Sequence, residues 1–269
     1  MSDKAWSVLF IGDVVGEAGL SLLEARLLEL RTRFQPDFVV VNAENMDLTP
    51  PRACGMKPES LARLFALGVD AVTGGNHSWD GDAAVVAQVF SDERVLRPHN
   101  YGTRAPGRGT RILERNGTRV GLINLVSKTA LAYADEALDP LEAQLDAWGA
   151  NVDGVLVDFH GESVTEKMMI AYAVVDRVSA LVGTHTHVPT LDTRIIATPD
   201  GGALAYVSDV GMTGPSGGIQ GYDARRMVDS LRTRLGSPLP MTFADGAAEL
   251  GAVFIRARGR TALSIERVA

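Results

Sequence analysis

The strongest constraint in this chain of 269 residues is the polar group that ends each of its short apolar runs. Trp6–Ile11 (WSVLFI) ends in Gly12-Asp13, and Asp37–Asn42 (DFVVVN) continues into Ala43-Glu44-Asn45. Val69–Thr73 leads into Gly74-Gly75-Asn76-His77, Gly154–Phe159 into His160, and Ala180–Thr184 into His185-Thr186-His187. Runs of this length, bounded by glycine and polar residues, read as buried strands. Apolar positions at helical spacing lie between them. Gly16–Phe34 places Leu20, Leu23, Leu27 and Leu30 on one face, and Pro58–Leu67, Asp80–Phe90, Pro140–Trp148 and Ser163–Val174 read as further helices. Strand–helix–strand order brings the carboxyl ends of parallel strands to one rim, where α/β proteins bind ligands. Five strands therefore deliver carboxylate, amide or imidazole to one edge.

Other segments depart from the parallel pattern. Two strand-like runs within Thr110–Leu125 flank Asn116-Gly117, a dipeptide suited to tight hairpins. Thr193–Ile196 with Ala203–Ser208, and Ala252–Arg258 with Thr261–Arg267, read as two more hairpins. Parallel units mixed with hairpins predict an α/β sandwich of two packed mixed sheets flanked by helices. No linker or repeat interrupts the chain, so a single domain spanning 1–269 is expected.

Composition narrows the function. A net charge of −7 argues against a duplex-binding protein with a broad basic face, yet leaves room for a small nucleotide beside a bound metal. Hydrophobic residues make up 46%, enough for a large core. Cys54 is the single cysteine, so no intrachain disulfide can form, and a free loop thiol is expected. The first apolar run is too short for a secretory core, and no window approaches the roughly 20 apolar residues of a membrane span. A cytoplasmic location away from membranes is the resulting expectation. Apolar loop residues Ala130–Leu138 offer a surface for a homo-oligomer.

Each polar residue also has an ordinary explanation. Asp13 fits a helix cap, Asn76 a left-handed turn, and an isolated His160 a hydrogen-bonded core histidine. His185-x-His187 says more, because alternate residues of an extended segment project to one side. Convergence decides between the readings, since four of the five histidines (His77, His160, His185, His187) lie at strand ends and His99 does not. Asp13, Glu44, Asn76, His160, His185 and His187 make a mixed imidazole, carboxylate and amide set suited to Mn, Fe, Zn or Ni. Six ligands exceed a mononuclear site, so a carboxylate must bridge two ions. A bridging carboxylate and hydroxide hold metals roughly 3.5–4 Å apart, the spacing used for in-line attack on phosphorus. His77, beside Asn76, is placed to protonate the leaving oxygen.

In this order the residues resemble the calcineurin-like metallophosphoesterases, over blocks spanning Asp13 to His187. That superfamily usually has a histidine two residues after the first aspartate, where this chain has Val15, and an aspartate where it has Glu44. Those departures, with FIGDVVG, VNAEN, TGGNHSWD, VDFHGESVTEK, VGTHTHVPT and SDVGMTGP, are similar to the YmdB-like branch nearly end to end. Met46–Met56 is atypical there and stands in place of a glycine-rich segment.

The resemblance implies a phosphodiesterase for 2′,3′-cyclic nucleotides with iron or manganese at its centre. Asp13, Glu44, Asn45 and His187 would hold the first metal, and Glu44, Asn76, His160 and His185 the second, with Glu44 bridging and His77 the acid. Asn124, Ser127, Thr213 and Gly214 lie in loops expected to approach substrate, and Arg97 is suited either to phosphate or to a structural role. A phosphomonoesterase or nucleotidase, or a regulatory metal- or nucleotide-binding protein, are the alternatives.

Overall fold

The computed structural model describes residues 3–49 and 54–268. In chain order the first part gives β1 (Ala5–Ile11), α1 (Gly16–Phe34), β2 (Phe38–Asn42) and a ribbon of β3 (Asp47–Leu48) with β4 (Cys54–Gly55). Next come α2 (Pro58–Ala66), β5 (Ala71–Thr73), α3 (Ala83–Val89) and β6 (Val95–Leu96). The middle supplies β7 (Thr110–Arg115), β8 (Thr118–Val126), α4 (Leu138–Trp148), β9 (Gly154–His160), α5 (Val164–Ala173) and β10 (Ala180–Thr184). The last part holds β11 (Arg194–Ala197), β12 (Ala203–Val207), β13 (Gly214–Pro215), α6 (Ala224–Thr233), β14 (Ala248–Glu249), β15 (Ala252–Arg258) and β16 (Thr261–Val268).

These strands form two six-stranded mixed sheets, in the orders β16-β15-β1-β2-β5-β6 and β11-β12-β10-β9-β8-β7. Parallel pairing runs through β1-β2-β5-β6 in one sheet and β8-β9-β10-β12 in the other. The three expected hairpins close the edges as β7–β8, β11–β12 and β15–β16. β12 does double duty, pairing antiparallel with β11 and parallel with β10.

Strand parity explains why the runs are apolar throughout. Successive side chains of a strand point to opposite faces. In β1, Trp6, Val8 and Phe10 enter the layer between the sheets, while Leu9 and Ile11 face α1. In β2, Phe38 and Val40 face inward, and Val39 and Val41 face the helices. The second sheet mirrors this, with Leu156 inward and Val155, Val157 and Phe159 packed under α4 and α5. Both faces of each sheet are covered, as parallel strands require. α1 packs Leu20, Leu23, Leu27, Leu30 and Phe34 on the first sheet, matching the spacing read from sequence.

Among the described residues, no helix is long and apolar enough to cross a membrane. Sequence reading missed α6, β6 and the short ribbons. Cys54 is free, but β4 buries it completely. Residues 50–53 of the atypical Met46–Met56 segment lie outside the described residues.

Candidate metal centre

The parity that fills the core also builds the floor of the site. Asn42, Thr73, Asp158 and Thr184 each continue the inward-facing set of their strand, so two from each sheet meet between the layers. The carboxylate of Asp158 accepts from Asn42 Nδ2 (3.0 Å), from Thr184 Oγ1 (2.7 Å) and from Thr73 Oγ1. Burial pushes Asp158 up to about 6 against the pull of His160 and these donors.

One residue past this floor the candidate ligands converge. His160 Nε2 lies 3.0 Å from Glu44 Oε1, 2.9 Å from Asn76 Oδ1 and 3.0 Å from His185 Nδ1. A ring nitrogen carries one proton or one lone pair, so it cannot satisfy three such neighbours. Ligand atoms of Glu44, His160 and His185 all lie within 4.8 Å of one another. Asp13 Oδ1 sits 3.7 Å from His160 Nδ1 and 3.9 Å from His187 Nε2. Asp13 Oδ1 and Asn45 Oδ1 are both buried with no hydrogen-bond partner. An orphaned buried oxygen is costly, and a cation removes that cost.

The surroundings orient each imidazole. His160 Nδ1 meets Thr184 Oγ1 at 3.0 Å, and that hydroxyl donates onward to Asp158, so the ring's proton belongs on Nδ1 and its lone pair on Nε2. His187 Nδ1 donates to the Gln220 carbonyl at 2.8 Å, which again frees Nε2. His185 Nε2 lies 3.3 Å from Glu162, leaving Nδ1 to face His160 and Glu44. Fixing the outer nitrogen is how proteins prepare histidine for a metal. Gly75 is part of the same fit, because a Cβ there would overlap Glu44 and His160.

Electrostatics agree with a place for cations. Burial raises Asp13, although His187 and His160 oppose the rise. Burial would raise Glu44 too, but His160 and His77 outweigh it and bring it to about 2. Burial lowers His160, yet Glu44, Asp13 and Asp158 lift it to about 9. Burial and the neighbouring His160 push His185 down to about 3. The two touching imidazoles are thus pushed in opposite directions, His160 by its carboxylates and His185 by burial and by His160.

His77 lies at the edge of the cluster. Its backbone N–H donates to Glu44 Oε2 (2.9 Å), and its Nδ1 lies 2.7 Å from Asp80 Oδ2. Burial would lower this imidazole, but Asp80 and Glu44 outweigh it and hold it above the usual histidine range.

Two ordinary readings of these residues do not hold, and the extended reading of His185-x-His187 is corrected. Val15, not Asp13, occupies the position before α1, and no side chain caps that helix. Asn76 does not adopt a left-handed conformation; His185 (φ 100°) and His187 (φ 64°) do. The two histidines therefore converge through a bend after β10, not through strand alternation. Asp209 holds that bend, accepting from Thr186 N (3.0 Å) and Thr186 Oγ1 (2.9 Å). Lys167, itself buried, reaches Thr184 O at 2.9 Å and Asp209 at 3.3 Å.

The four residues expected near substrate contact the segments that carry the candidate ligands. Asn124 Oδ1 accepts from Gly74 N (3.2 Å), and Ser127 Oγ donates to Glu166 (2.6 Å). Thr213 N donates to Asp13 O (2.8 Å), and Gly214 packs on Val15. All are buried, and their visible work is to shape the ligand loops. Arg97 is structural, donating to the carbonyls of Pro98 and Tyr101.

Comparison with known proteins places this geometry. The family model described as YmdB-like protein matches residues 9–268. The chain belongs to the YmdB-like family. A Bacillus subtilis (strain 168) protein named 2′,3′-cyclic-nucleotide 2′-phosphodiesterase is 34% identical over 263 residues, covering 97% of this chain and 96% of its own. The crystal structure of a phosphatase from Mycoplasma pneumoniae superposes with a TM-score of 0.86 at 28% identity, over 100% of this chain and 94% of that one. At 12% identity, the calcineurin-like phosphoesterase YfkN from Bacillus subtilis shares the fold alone, with a TM-score of 0.57 over 98% of this chain and 90% of that one. The fold is thus the α/β sandwich of the calcineurin-like phosphoesterases.

Proposed function

We propose that this YmdB-like protein hydrolyses 2′,3′-cyclic nucleotides at a two-metal centre. The observation that carries the reading is the crowding at His160 Nε2, three partners within 3.0 Å, beside the orphaned oxygens of Asp13 and Asn45. Asp13, Glu44, Asn45 and His187 would hold one ion, and Glu44, Asn76, His160 and His185 the other. The mixed oxygen and nitrogen donors favour iron or manganese over a calcium cage. Bound there, such ions supply Lewis acidity toward phosphate oxygen and lower the pKa of water.

The chain's own residues supply the rest. Glu44, shared between the two sets, would contribute a carboxylate to both. His77 holds a proton at the rim, and Asp80 stabilises the charged imidazole. As the P–O2′ bond breaks and water oxygen joins phosphorus, that proton goes to O2′, and the proton released by the water returns the imidazole to its charged form. The B. subtilis relative supports the choice of cyclic substrate.

A phosphatase reading is the second possibility, favoured by the M. pneumoniae structure. Elemental analysis of the purified protein, with a panel of cyclic and linear phosphoesters, tests both. Two transition-metal ions per chain and clear preference for 2′,3′-cyclic nucleotides are expected. Cyclic substrates no better than an aryl phosphate would overturn the cyclic assignment, and no bound metal after supplementation would overturn both readings.

A further inference from the structure

The turn before α6 touches two candidate ligands at once. Ile219 and Tyr222 exchange backbone hydrogen bonds of 2.9 Å each way, and the two residues between them, Gln220 (φ 54°) and Gly221 (φ 82°), both have positive φ. Positive φ at both central positions makes a tight reversal that is rigid for its length. A Cβ at Gly221 would press on Val15 at 2.9 Å, so the turn sits directly against the segment that carries Asp13.

Its two ends do different chemistry. The Gln220 carbonyl accepts the Nδ1 proton of His187, which leaves the Nε2 lone pair facing Asp13. The Tyr222 hydroxyl oxygen accepts from Asn45 Nδ2 at 2.8 Å, which turns the amide oxygen away into its unpartnered, buried position. The same hydroxyl lies 3.1 Å from Cys54 Sγ. A phenol has one proton. If its oxygen accepts from Asn45, that proton is free for the sulfur. In the reversed arrangement the thiol donates to the phenol, the phenol donates to Asn45 Oδ1, and the amide nitrogen faces the cation, which is repulsive. Val15, Cys54 and Tyr222 pack together, keeping the relay dry.

We propose that the Gln220–Tyr222 turn positions Asn45 and His187 as ligands of one metal ion only, with Tyr222 orienting the Asn45 amide and the Cys54 sulfur accepting the hydrogen bond of the phenolic O–H. This rests on the assignment of Asn45 and His187 to the same ion. The two imidazoles exclusive to the other ion are oriented elsewhere, His160 by Thr184 and His185 by Glu162. Tyr222 is thus a positioning residue. Its replacement should separate two affinities that share Glu44.

The test is manganese titration calorimetry on metal-stripped protein, with manganese content after dialysis. Wild type should bind two ions per chain. Tyr222→Phe should weaken one of them by about 10–100-fold, the usual effect of losing a partner behind a ligand, and leave the other within about threefold. Asn45→Ala should weaken the same ion. Adding Tyr222→Phe to it should cost nothing more, since a residue acting through another is non-additive with it. Cys54→Ala keeps the phenol and should give a smaller loss at that same ion. Two ions at wild-type affinity in Tyr222→Phe would overturn the role of Tyr222. Unchanged binding in Cys54→Ala would overturn the role of the thiol, and this variant also serves if Tyr222→Phe fails to fold. Fewer than two ions in wild type would instead overturn the two-metal reading beneath the proposal.

Discussion

A general acid needs one nitrogen held and the other exposed to the leaving group. His77 meets the first condition through Asp80 at 2.7 Å and is itself only partly buried. His77→Ala should lower kcat by about 10²–10⁴-fold, the range for loss of acid catalysis, while elemental analysis finds metal content unchanged. Parallel loss of metal would assign His77 a structural part instead. Asp209 poses a different case, because it is fully buried against Lys167 and braces a backbone held at positive φ. Asp209→Asn leaves a buried ammonium without its counter-charge, a change that typically costs about 3–5 kcal/mol. Urea denaturation should read that loss, and an unchanged midpoint would show that Lys167 finds water. Such residues were hard to read in sequence. Asp209 and Lys167 lie 42 positions apart in SDVGMTGP and VDFHGESVTEK, and only the fold makes them neighbours. Tyr222 carried no signal, being one aromatic in a glycine-rich stretch. Asp158 did carry one, as a lone carboxylate inside the apolar run GVLVDF.

Elements were legible where both faces of a strand are buried, because a continuous apolar run bounded by glycine has few other uses. β1, β2, β9 and β10 fall in this class, as do the Leu-spaced α1 and the three hairpins. Short pieces escaped notice for the converse reason. β6 is two residues long, and α6, though amphipathic with Met227 against Val15 and Tyr222, buries no residue fully. The bend at His185–His187 was read as extended because periodicity carries no information about φ. Packing of elements makes its own prediction. Trp148 at the end of α4 lies where a Cβ on Gly121 would be, so helix and β8 touch through ring and backbone. Trp148→Ala opens a cavity on the face away from the ligands. It should destabilise the fold by about 3–5 kcal/mol in a melting experiment, with metal stoichiometry intact. Loss of metal together with stability would mean that the outer helix layer sets the ligand geometry.

At the scale of the whole molecule, the two sheets contribute unlike halves of the centre. Asp13, Glu44, Asn45 and Asn76 follow strands of the first sheet, while His160, His185 and His187 end or follow strands of the second. Ions binding across that junction bind the folded state and not the unfolded one. They should raise stability by about 2.7 kcal/mol when free metal is a hundredfold above Kd. Calorimetric melting should therefore show Tm falling with chelator and recovering on adding manganese; a Tm indifferent to both would argue against ligation across the sheets.

The split also ties the candidate donors to long-range pairing. The first sheet seats β1 beside β15, so Ala5 waits for Arg258 before its strand is enclosed on that side. The first sheet alone would offer the candidate ions oxygen donors only, a set suited to magnesium or calcium. The imidazoles come from the second sheet, so any preference for transition metals would depend on how the two sheets pack together.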